Sequence, residues 1–242
     1  VGKTIISAFD YKRFVRENGS PQRLLFVAHR EEILKQSRDA FRVIMQDLNF
    51  GDLLVGVHQP DNIDHLFISI QSFNSRKLYE HTTKDYYDFI IVDEFHHAAA
   101  KSYQSLLEYY QPKVLLGLTA TPERMDGKDI LSYFDNRVAA EMRLTEALNQ
   151  KLLSPFQYFC VTDTVDLTQV TWRGKGYDLR ELENVYTSDR VRAMQVLRSV
   201  KKYVTDMNEV KGLGFCVGVE HAKFMAKMFN DSNVPSIALH GN

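Results

Sequence analysis

The stretch FIIVDEFHHA, Phe89 to Ala98, places two carboxylates and two imidazoles directly after a run of apolar residues. A buried strand that ends in Asp-Glu suits a phosphate-loop NTPase, in which one carboxylate helps hold Mg²⁺ and another group positions the attacking water. We therefore predict that Asp93 binds the metal ion and that Glu94 acts as the general base. The alternative is a core strand that merely ends in solvated acidic residues.

The chain opens with VGKTII, which contains the last part of the phosphate-loop pattern GxxxxGK[ST]. In such loops, backbone N–H groups and a lysine surround the phosphates, and a hydroxyl binds Mg²⁺. The pattern predicts that Gly2, Lys3 and Thr4 bind ATP and that Thr4 is also a metal ligand. A GKT tripeptide alone is weak support, because it also occurs by chance. Its position upstream of Asp93 and Glu94 strengthens the prediction.

The residues around these motifs predict an α/β fold. Apolar runs of about five to seven residues alternate with helical patterns, which is typical of a sheet covered by helices. Most runs are apolar on both sides, which favours parallel strands buried on both faces, with the functional loops at their carboxyl ends. The predicted strands are RLLFVAH ending at His29, LLVGV at 53–57, HLFISI at 65–70, DFIIVDE at 88–94 and KVLLGLTA at 113–120.

Helical spacing of apolar residues predicts two main helices. The first has a buried face formed by Ile33, Ser37, Ala40, Phe41, Ile44 and Leu48. The second starts near Ser188 and buries Ala193, Val196, Leu197, Val200, Val204 and Met207.

We divide the chain into a first lobe at 1–142, a hinge at 143–157 and a partial second lobe at 158–242. The hinge region, read from residue 139 to Pro155, contains a predicted short strand and a short helix opened by Thr145. Beyond it, the sequence predicts a polar excursion from Thr168 to Glu183 and a helix from Glu220 to Phe229. The predicted strands of this region are FQYFCVT at 156–162, GLGFCV at 212–217 and SIALHG at 236–241.

Composition restricts the setting of the protein. The 242 residues suit one complete domain plus part of another. With 30 basic and 31 acidic residues, a net charge of −1 argues against a uniformly basic nucleic-acid binder, so any such contact must be local. Cys160 and Cys216 form neither a metal pair nor a disulfide framework, which fits a reducing cytoplasm. No apolar run approaches the roughly 18 to 20 residues of a membrane span, so we expect no membrane partner.

Four motifs together resemble those of superfamily two DEAD/DEAH-box helicases. VDEFHH matches the D-E-x-H box, GLTATPER at 117–124 resembles the S/T-A-T element, FVAHREEILKQ is similar to motif Ia, and ISIQSF is similar to a later nucleic-acid contact segment. The strongest resemblance is to members related to the helicase subunits of type I and III restriction enzymes. It covers nearly the whole chain, and more firmly before Pro155 than after it. It implies a RecA-like sheet followed by part of a second RecA-like lobe.

The resemblance implies a role for each matching residue. It implies that ATP and Mg²⁺ are bound at Lys3, Thr4 and Asp93, and that hydrolysis drives movement on nucleic acid. His96 would couple the ATP site to Thr119 and Thr121. Nucleic acid, with DNA favoured over RNA, would contact the residues of motif Ia and of the later segment, which are His29, Arg30, Gln71 and Ser72. A nuclease or other domains in the full-length chain are compatible with this family.

Several interpretations stay open at this point. The family's loop start would precede Val1 and its arginine-bearing motif would follow Asn242, so we expect a fragment that hydrolyses little ATP by itself. The main rival function is a nucleic-acid-binding scaffold with the fold but little ATPase activity, and a small-molecule kinase is a second rival. Arg30 could simply start a solvated helix face, and His97 could be a structural hydrogen-bonding residue. Trp172 could stack on a base, although packing is favoured.

Overall fold

A five-stranded, wholly parallel sheet forms the centre of the first part of the chain. The computed structural model describes residues 2–19, 21–97, 100–120, 130–163, 165–174 and 176–240. The strand order is β2-β3-β1-β4-β5, so β1 is central and lies between β3 and β4. The strands are β1 Leu24–Ala28, β2 Asp52–Leu54, β3 His65–Ser69, β4 Phe89–Asp93 and β5 Val114–Leu118. The predicted α/β class and the parallel sheet are confirmed.

Helices cover both faces of this sheet. Successive residues of a strand point to opposite faces, and they enter two separate cores. Phe26 packs in a core with Tyr11 and Phe41, whereas Val27 packs in the other core with Phe73 and Leu106. These partners belong to α1 Lys3–Asn18 and α2 Glu31–Met45 on one face, and to α3 Ile70–Arg76 and α4 Lys101–Tyr109 on the other. Burial on both faces explains why the strands are apolar at nearly every position.

Three local predictions for this region were wrong. The second strand ends at Leu54 instead of reaching Val57, which is 89% exposed. Ile70, predicted as the end of a strand, begins α3, because Ser69 caps the helix by accepting the backbone N–H of Ser72 at 3.0 Å. Leu48, predicted on the buried face of the first helix, is 82% exposed, because α2 ends at Met45.

The chain divides into two compact units, Val1–Pro155 and Phe156–Asn242. The first unit ends with α5, Leu144–Asn149, which begins one residue before the predicted Thr145. The short strand predicted ahead of this helix, in the segment that starts at residue 139, is wrong, since the described residues there form no strand. The assignment of the two units as helicase lobes, with the bounds given above, stays a prediction.

The second unit contains the helices α6 Leu179–Ser188, α7 Arg190–Tyr203 and α8 Val219–Asn230. The helices predicted from Ser188 and from Glu220 are confirmed, whereas α6 replaces the end of the predicted polar excursion. Asp178 begins α6 by accepting the backbone N–H groups of Arg180 and Glu181. This capping interaction was not anticipated.

The strands predicted for the second unit were wrong. Among its described residues the structure assigns no β-strand, and the only pairing is an isolated bridge between Trp172 and Tyr177. A strand requires a hydrogen-bonded neighbour and cover for its apolar face. Among the described residues the three predicted runs pair with no neighbouring strand, and several of their large side chains are exposed: Tyr158 83%, Leu213 83%, Phe215 95%, Ile237 79% and Leu239 76%.

Two further features bear on the sequence-based expectations. Cys160 and Cys216 are free thiols. Among the described helices, none combines the length and the apolar character that crossing a membrane requires.

Candidate active site

The carboxyl end of β4 and the start of α1 bring Lys3 next to the acidic pair. Lys3 Nζ donates a hydrogen bond to Glu94 Oε1 at 3.2 Å and lies 3.9 Å from Asp93 Oδ1. These residues are 90 positions apart or more in sequence, so the fold creates their contact. An ammonium group facing two carboxylates at a strand end is an arrangement that can bind a phosphate and its metal ion.

Asp93 is a largely buried carboxylate, with a residue exposure of 7%. Burial raises its pKa, and the negative charge of Glu94 acts in the same direction. The backbone N–H of Glu94 and the positive charge of Lys3 oppose this rise. The net rise in the pKa of Asp93 means that its neighbours do not offset the full cost of burying the ionised carboxylate. A cation beside this carboxylate would supply the missing compensation.

The amino end of α1 has the features of an anion site. Gly2 precedes the helix with φ 70° and ψ 15°, a left-handed conformation that favours glycine. No side chain caps the helix, so its first backbone N–H groups have no capping acceptor within the structure described. Lys3 and Thr4 form the first turn and are both half-buried. Uncapped N–H groups, the helix dipole and a lysine together favour a phosphate at this position.

His96 joins the ends of two adjacent strands. Its Nδ1 lies 3.2 Å from Glu94 Oε2 and 3.1 Å from Thr119 Oγ1, which directly follows β5. Glu94 has φ 50°, in the left-handed region that non-glycine residues seldom adopt, and leads into the 3₁₀ turn Phe95–His97. The turn thus sets His96 between Glu94 and Thr119. Thr121 lies outside the described residues.

The four predicted nucleic-acid residues follow β1 and β3. These strands are neighbours, with Ala28 opposite Ser69, so the segments that follow them share one edge of the sheet. Arg30 and Gln71 are exposed. Ser72 is half-buried and contacts Ser69 twice: its N–H donates to Ser69 Oγ at 3.0 Å, and its Oγ accepts from the Ser69 hydroxyl at 2.9 Å. Its own O–H is the group that is left to donate to a ligand.

His29 is placed differently from the other predicted nucleic-acid residues. It is half-buried, and its Nδ1 is fully enclosed without a hydrogen-bond partner among the described residues. Its ring meets that of His97 edge-to-face at 5.9 Å between centroids. The His29 side chain is therefore less accessible to a ligand than the exposed Arg30 and Gln71.

Residues 1–124 match the sequence profile of a family described as "Type III restriction enzyme, res subunit". The chain belongs to this family. The match ends in the segment that follows β5, so it includes every predicted site residue.

Two relatives and one solved structure are similar to this chain. A 51.5 kDa protein of a Lactococcus phage is 25% identical over 236 residues, which cover 98% of this chain and 46% of the relative. A Saccharomyces cerevisiae protein named "Putative ATP-dependent helicase IRC3" is 23% identical and covers 92% of this chain and 33% of the relative. A solved fragment of a "putative HsdR subunit of a type I restriction enzyme" from Vibrio vulnificus is 26% identical with a TM-score of 0.60, covering 88% of this chain and 34% of that one. The chain spans less than half the length of these relatives.

The donor set of this family member suits Mg²⁺ held together with a phosphate. Among the described residues, no group of three or more His, Cys, Asp and Glu side chains is arranged to hold a metal ion. Mg²⁺ bound to a nucleotide does not need such a group, because it uses one or two carboxylates, hydroxyl or water oxygens and the phosphates themselves. Asp93 and Thr4 supply oxygen ligands of this kind.

Sequence reasoning missed Tyr103, a residue of α4. Its hydroxyl is buried without a hydrogen-bond partner among the described residues. Burial raises the pKa of this hydroxyl to about 12, and the charges of Asp93 and Glu94 contribute to the rise. In sequence, Tyr103 is one more aromatic residue at helical spacing, so no local signal separates it from the core. Only the fold brings it close enough to the acidic pair for their charges to act on it.

Proposed function

We propose that the protein is an ATP-dependent helicase or translocase that couples ATP hydrolysis to movement on nucleic acid. The observation that carries the proposal is the convergence of Lys3, Asp93 and Glu94, with Nζ 3.2 Å and 3.9 Å from the two carboxylates. A scaffold without ATPase activity has no need for a lysine, two carboxylates and a bridging histidine at one sheet edge. Membership of the restriction-enzyme family and the helicase name of the yeast relative point the same way.

The nucleotide is held by the start of α1. Gly2 lets the backbone turn into the helix, and the uncapped N–H groups and Lys3 bind phosphate oxygens. Thr4 and Asp93 hold Mg²⁺, which supplies charge neutralisation at the phosphates. The Asp93 carboxylate fits this role, because it is largely buried and its neighbours do not offset the cost of burying its charge.

Glu94 acts as the general base in this proposal. Its Oε1 accepts a hydrogen bond from Lys3 Nζ, and its Oε2 lies 3.2 Å from His96 Nδ1. Contacts at both of its oxygens fix the carboxylate, which lowers the entropy cost of presenting it to a water molecule. His96, through Thr119 Oγ1 at 3.1 Å, links the position of this base to β5 and to the segment that contains Thr121.

Nucleic acid binds at the edge where β1 and β3 end. Arg30 is the exposed cation, and Gln71 and Ser72 offer an amide and a hydroxyl. Contacts of this type bind the phosphate backbone, so they need no basic composition and carry no base specificity. DNA is favoured over RNA because restriction enzymes act on DNA. We also propose that the intact protein has a nuclease or other domains and that it is located in the cytoplasm.

The experiment is the Glu94→Gln variant of the intact protein. Gln keeps the size and one acceptor oxygen but removes the base, so turnover falls by about a hundredfold or more while ATP binding stays within about threefold of wild type. Hydrolysis is measured by phosphate release, and binding with a fluorescent ATP analogue. Glu17→Gln, an exposed position near the end of the same α1, is the matched control and leaves both unchanged.

Two results would overturn parts of the proposal. Unchanged hydrolysis in Glu94→Gln removes Glu94 from the base role. If the wild-type protein hydrolyses no ATP, with or without single-stranded DNA or RNA, the scaffold function replaces the motor function.

A further inference from the structure

Three imidazoles form a row along the carboxyl edge of the sheet. The rings of His96 and His97 are 4.1 Å apart between centroids at 45°, and those of His97 and His29 are 5.9 Å apart at 66°. One end of the row is anchored at Glu94 and Thr119 through His96. The other end lies at His29, directly before the exposed Arg30. The row thus spans from the proposed nucleotide site to the proposed nucleic-acid site.

The backbone ties His97 to the catalytic carboxylate. Its N–H donates to the Glu94 carbonyl oxygen at 2.9 Å, which closes the 3₁₀ turn. Glu94 itself has the uncommon φ of 50°. A change in the backbone of Glu94 therefore moves the His97 ring, because one short turn contains both residues. Phe95, 1% exposed, anchors this turn in the core and limits other ways for it to move.

At the other end of the row, one atom of His29 lies in an unfavourable environment. Its Nδ1 is buried without a hydrogen-bond partner among the described residues. A buried polar atom that lacks a partner raises the free energy of the arrangement that contains it. A shift of the His97 ring that opens His29 to water or to a polar neighbour would remove this penalty. Two arrangements of comparable free energy are what a coupling element requires.

We propose that His97 is a positioning residue that couples the two sites, through ring contacts with His96 on one side and His29 on the other. This inference rests on the proposed function and names the residue through which the nucleotide site and the nucleic-acid site communicate. His97 is exposed and contacts neighbouring side chains rather than reacting groups. Its replacement therefore weakens the communication between the sites more than it weakens either site alone.

The test measures this communication by binding, without turnover. The affinity of the intact protein for a labelled single-stranded DNA oligonucleotide is measured with and without Mg²⁺ and a non-hydrolysable ATP analogue. Coupling between two ligands changes affinity by about 5- to 150-fold and is reciprocal. In wild type the analogue shifts the oligonucleotide affinity within this range. In His97→Ala the shift falls below about twofold, while the affinity for each ligand alone changes by less than about threefold.

Three variants make the result specific. His97→Phe keeps a planar ring against both neighbours and restores most of the shift. His81→Ala removes an exposed histidine from the same unit, outside the row, and leaves the shift at the wild-type value. His29→Ala combined with His97→Ala gives no further loss of coupling, because residues in one contact chain are not additive.

The possible failures are distinguishable. A wild-type shift that survives in His97→Ala, or a His97→Phe variant as defective as His97→Ala, overturns the inference. A wild-type protein with no shift at all also overturns it, since His97 then has nothing to couple. The proposed function fails separately, if the wild-type protein releases no phosphate from ATP in the presence of nucleic acid.

Discussion

Similar apolar runs are buried in the first unit of the chain and exposed in the second. In the first unit, Phe26 and Phe67 lie on neighbouring strands, are fully buried and stack with ring centroids 5.3 Å apart. In the second unit, Phe215 lies in a comparable run, GLGFCV, and is 95% exposed. The difference shows that apolar character alone does not make a strand. A parallel strand also needs hydrogen-bonded neighbours and cover on both faces.

The second unit is held together by helices and polar contacts instead. α6 packs against α8, and the ring of Tyr186 stacks on that of His221 at 5.3 Å. Arg192 lies over the same Tyr186 ring, 4.1 Å from its centroid. Such contacts contribute less than a closed aromatic core. We therefore expect substitutions to affect the two units very differently.

The largest expected effect is that of Phe26→Ala in the first unit. Phe26 contacts the rings of Phe41 and Phe67 on the α1 and α2 face of the sheet. Truncation leaves a cavity in a closed core, so the free energy of unfolding falls by about 3–5 kcal/mol. Urea unfolding followed by far-UV circular dichroism, which detects the helices of both units, measures the change.

Phe215→Ala is the matched substitution in the second unit. With a side chain 95% exposed, it changes the free energy of unfolding by less than about 0.5 kcal/mol. Trp172, the only tryptophan, makes fluorescence a probe of the second unit alone. If Phe215→Ala were as destabilising as Phe26→Ala, the GLGFCV run would be a packed strand in solution and the contrast between the units would disappear.

The same contrast explains which elements could be predicted from the sequence. All five strands of the first unit were found, because a parallel strand buried on both faces is apolar at nearly every position. The ends of β2 and β3 were wrong by one to three residues, since the Ser69 cap and the exposed position of Val57 depend on the fold. In the second unit the helices from Arg190 and Val219 were found by their spacing, whereas the strands had no pairing to support them.

The candidate site shows a similar division. The motif residues Lys3, Asp93 and Glu94 could be proposed from their types and order, and the structure brings them together. The partly buried position of His29 and the unpartnered hydroxyl of Tyr103 could not be predicted. Both depend on which helix covers which end of a strand. This is a property of tertiary packing that no local pattern records.

A smaller effect is expected for Gly117→Ala, in β5. A Cβ atom at Gly117 would lie 2.6 Å from Phe134 Cζ and 2.8 Å from Phe95 Cγ, so both rings must shift. Such overpacking costs about 1–3 kcal/mol. Because Phe95 begins the turn that carries His96, ATP turnover also falls. Urea unfolding and phosphate release measure the two effects.

Gly214→Ala is the control for this substitution. Among the described residues, nothing lies within 4 Å of a Cβ at Gly214 in the second unit. The free energy of unfolding therefore changes by less than about 1 kcal/mol, and any change is an increase, because alanine lowers the entropy of the unfolded chain. Equal losses at both glycines would indicate that the second unit is as tightly packed as the first.

The smallest effect concerns a carboxylate that stabilises the second unit. Glu183 Oε1, on α6, accepts the backbone N–H groups of Glu220 and His221 at 2.9 Å and 3.1 Å. It thereby caps α8, whose own N-cap residue, Gly218, has no side chain to do so. Glu183→Ala removes the cap and the favourable charge at the helix start, so the free energy of unfolding of the second unit falls by about 1 kcal/mol.

The Glu183→Ala substitution is measured by the fluorescence of Trp172 during urea unfolding, with Glu220→Ala as its control. Glu220 is also a glutamate at the start of α8, but its side chain is exposed and forms a surface ion pair with Lys223, so its loss has little effect. A loss confined to Glu183→Ala would show that a polar contact between α6 and α8 organises the second unit. Equal losses in both variants would mean that negative charge near the helix start, rather than the specific cap, supplies the stabilisation. In the first outcome, the Glu183 side chain holds α6 and α8 together in the second unit. The sheet has this role for the helices of the first unit.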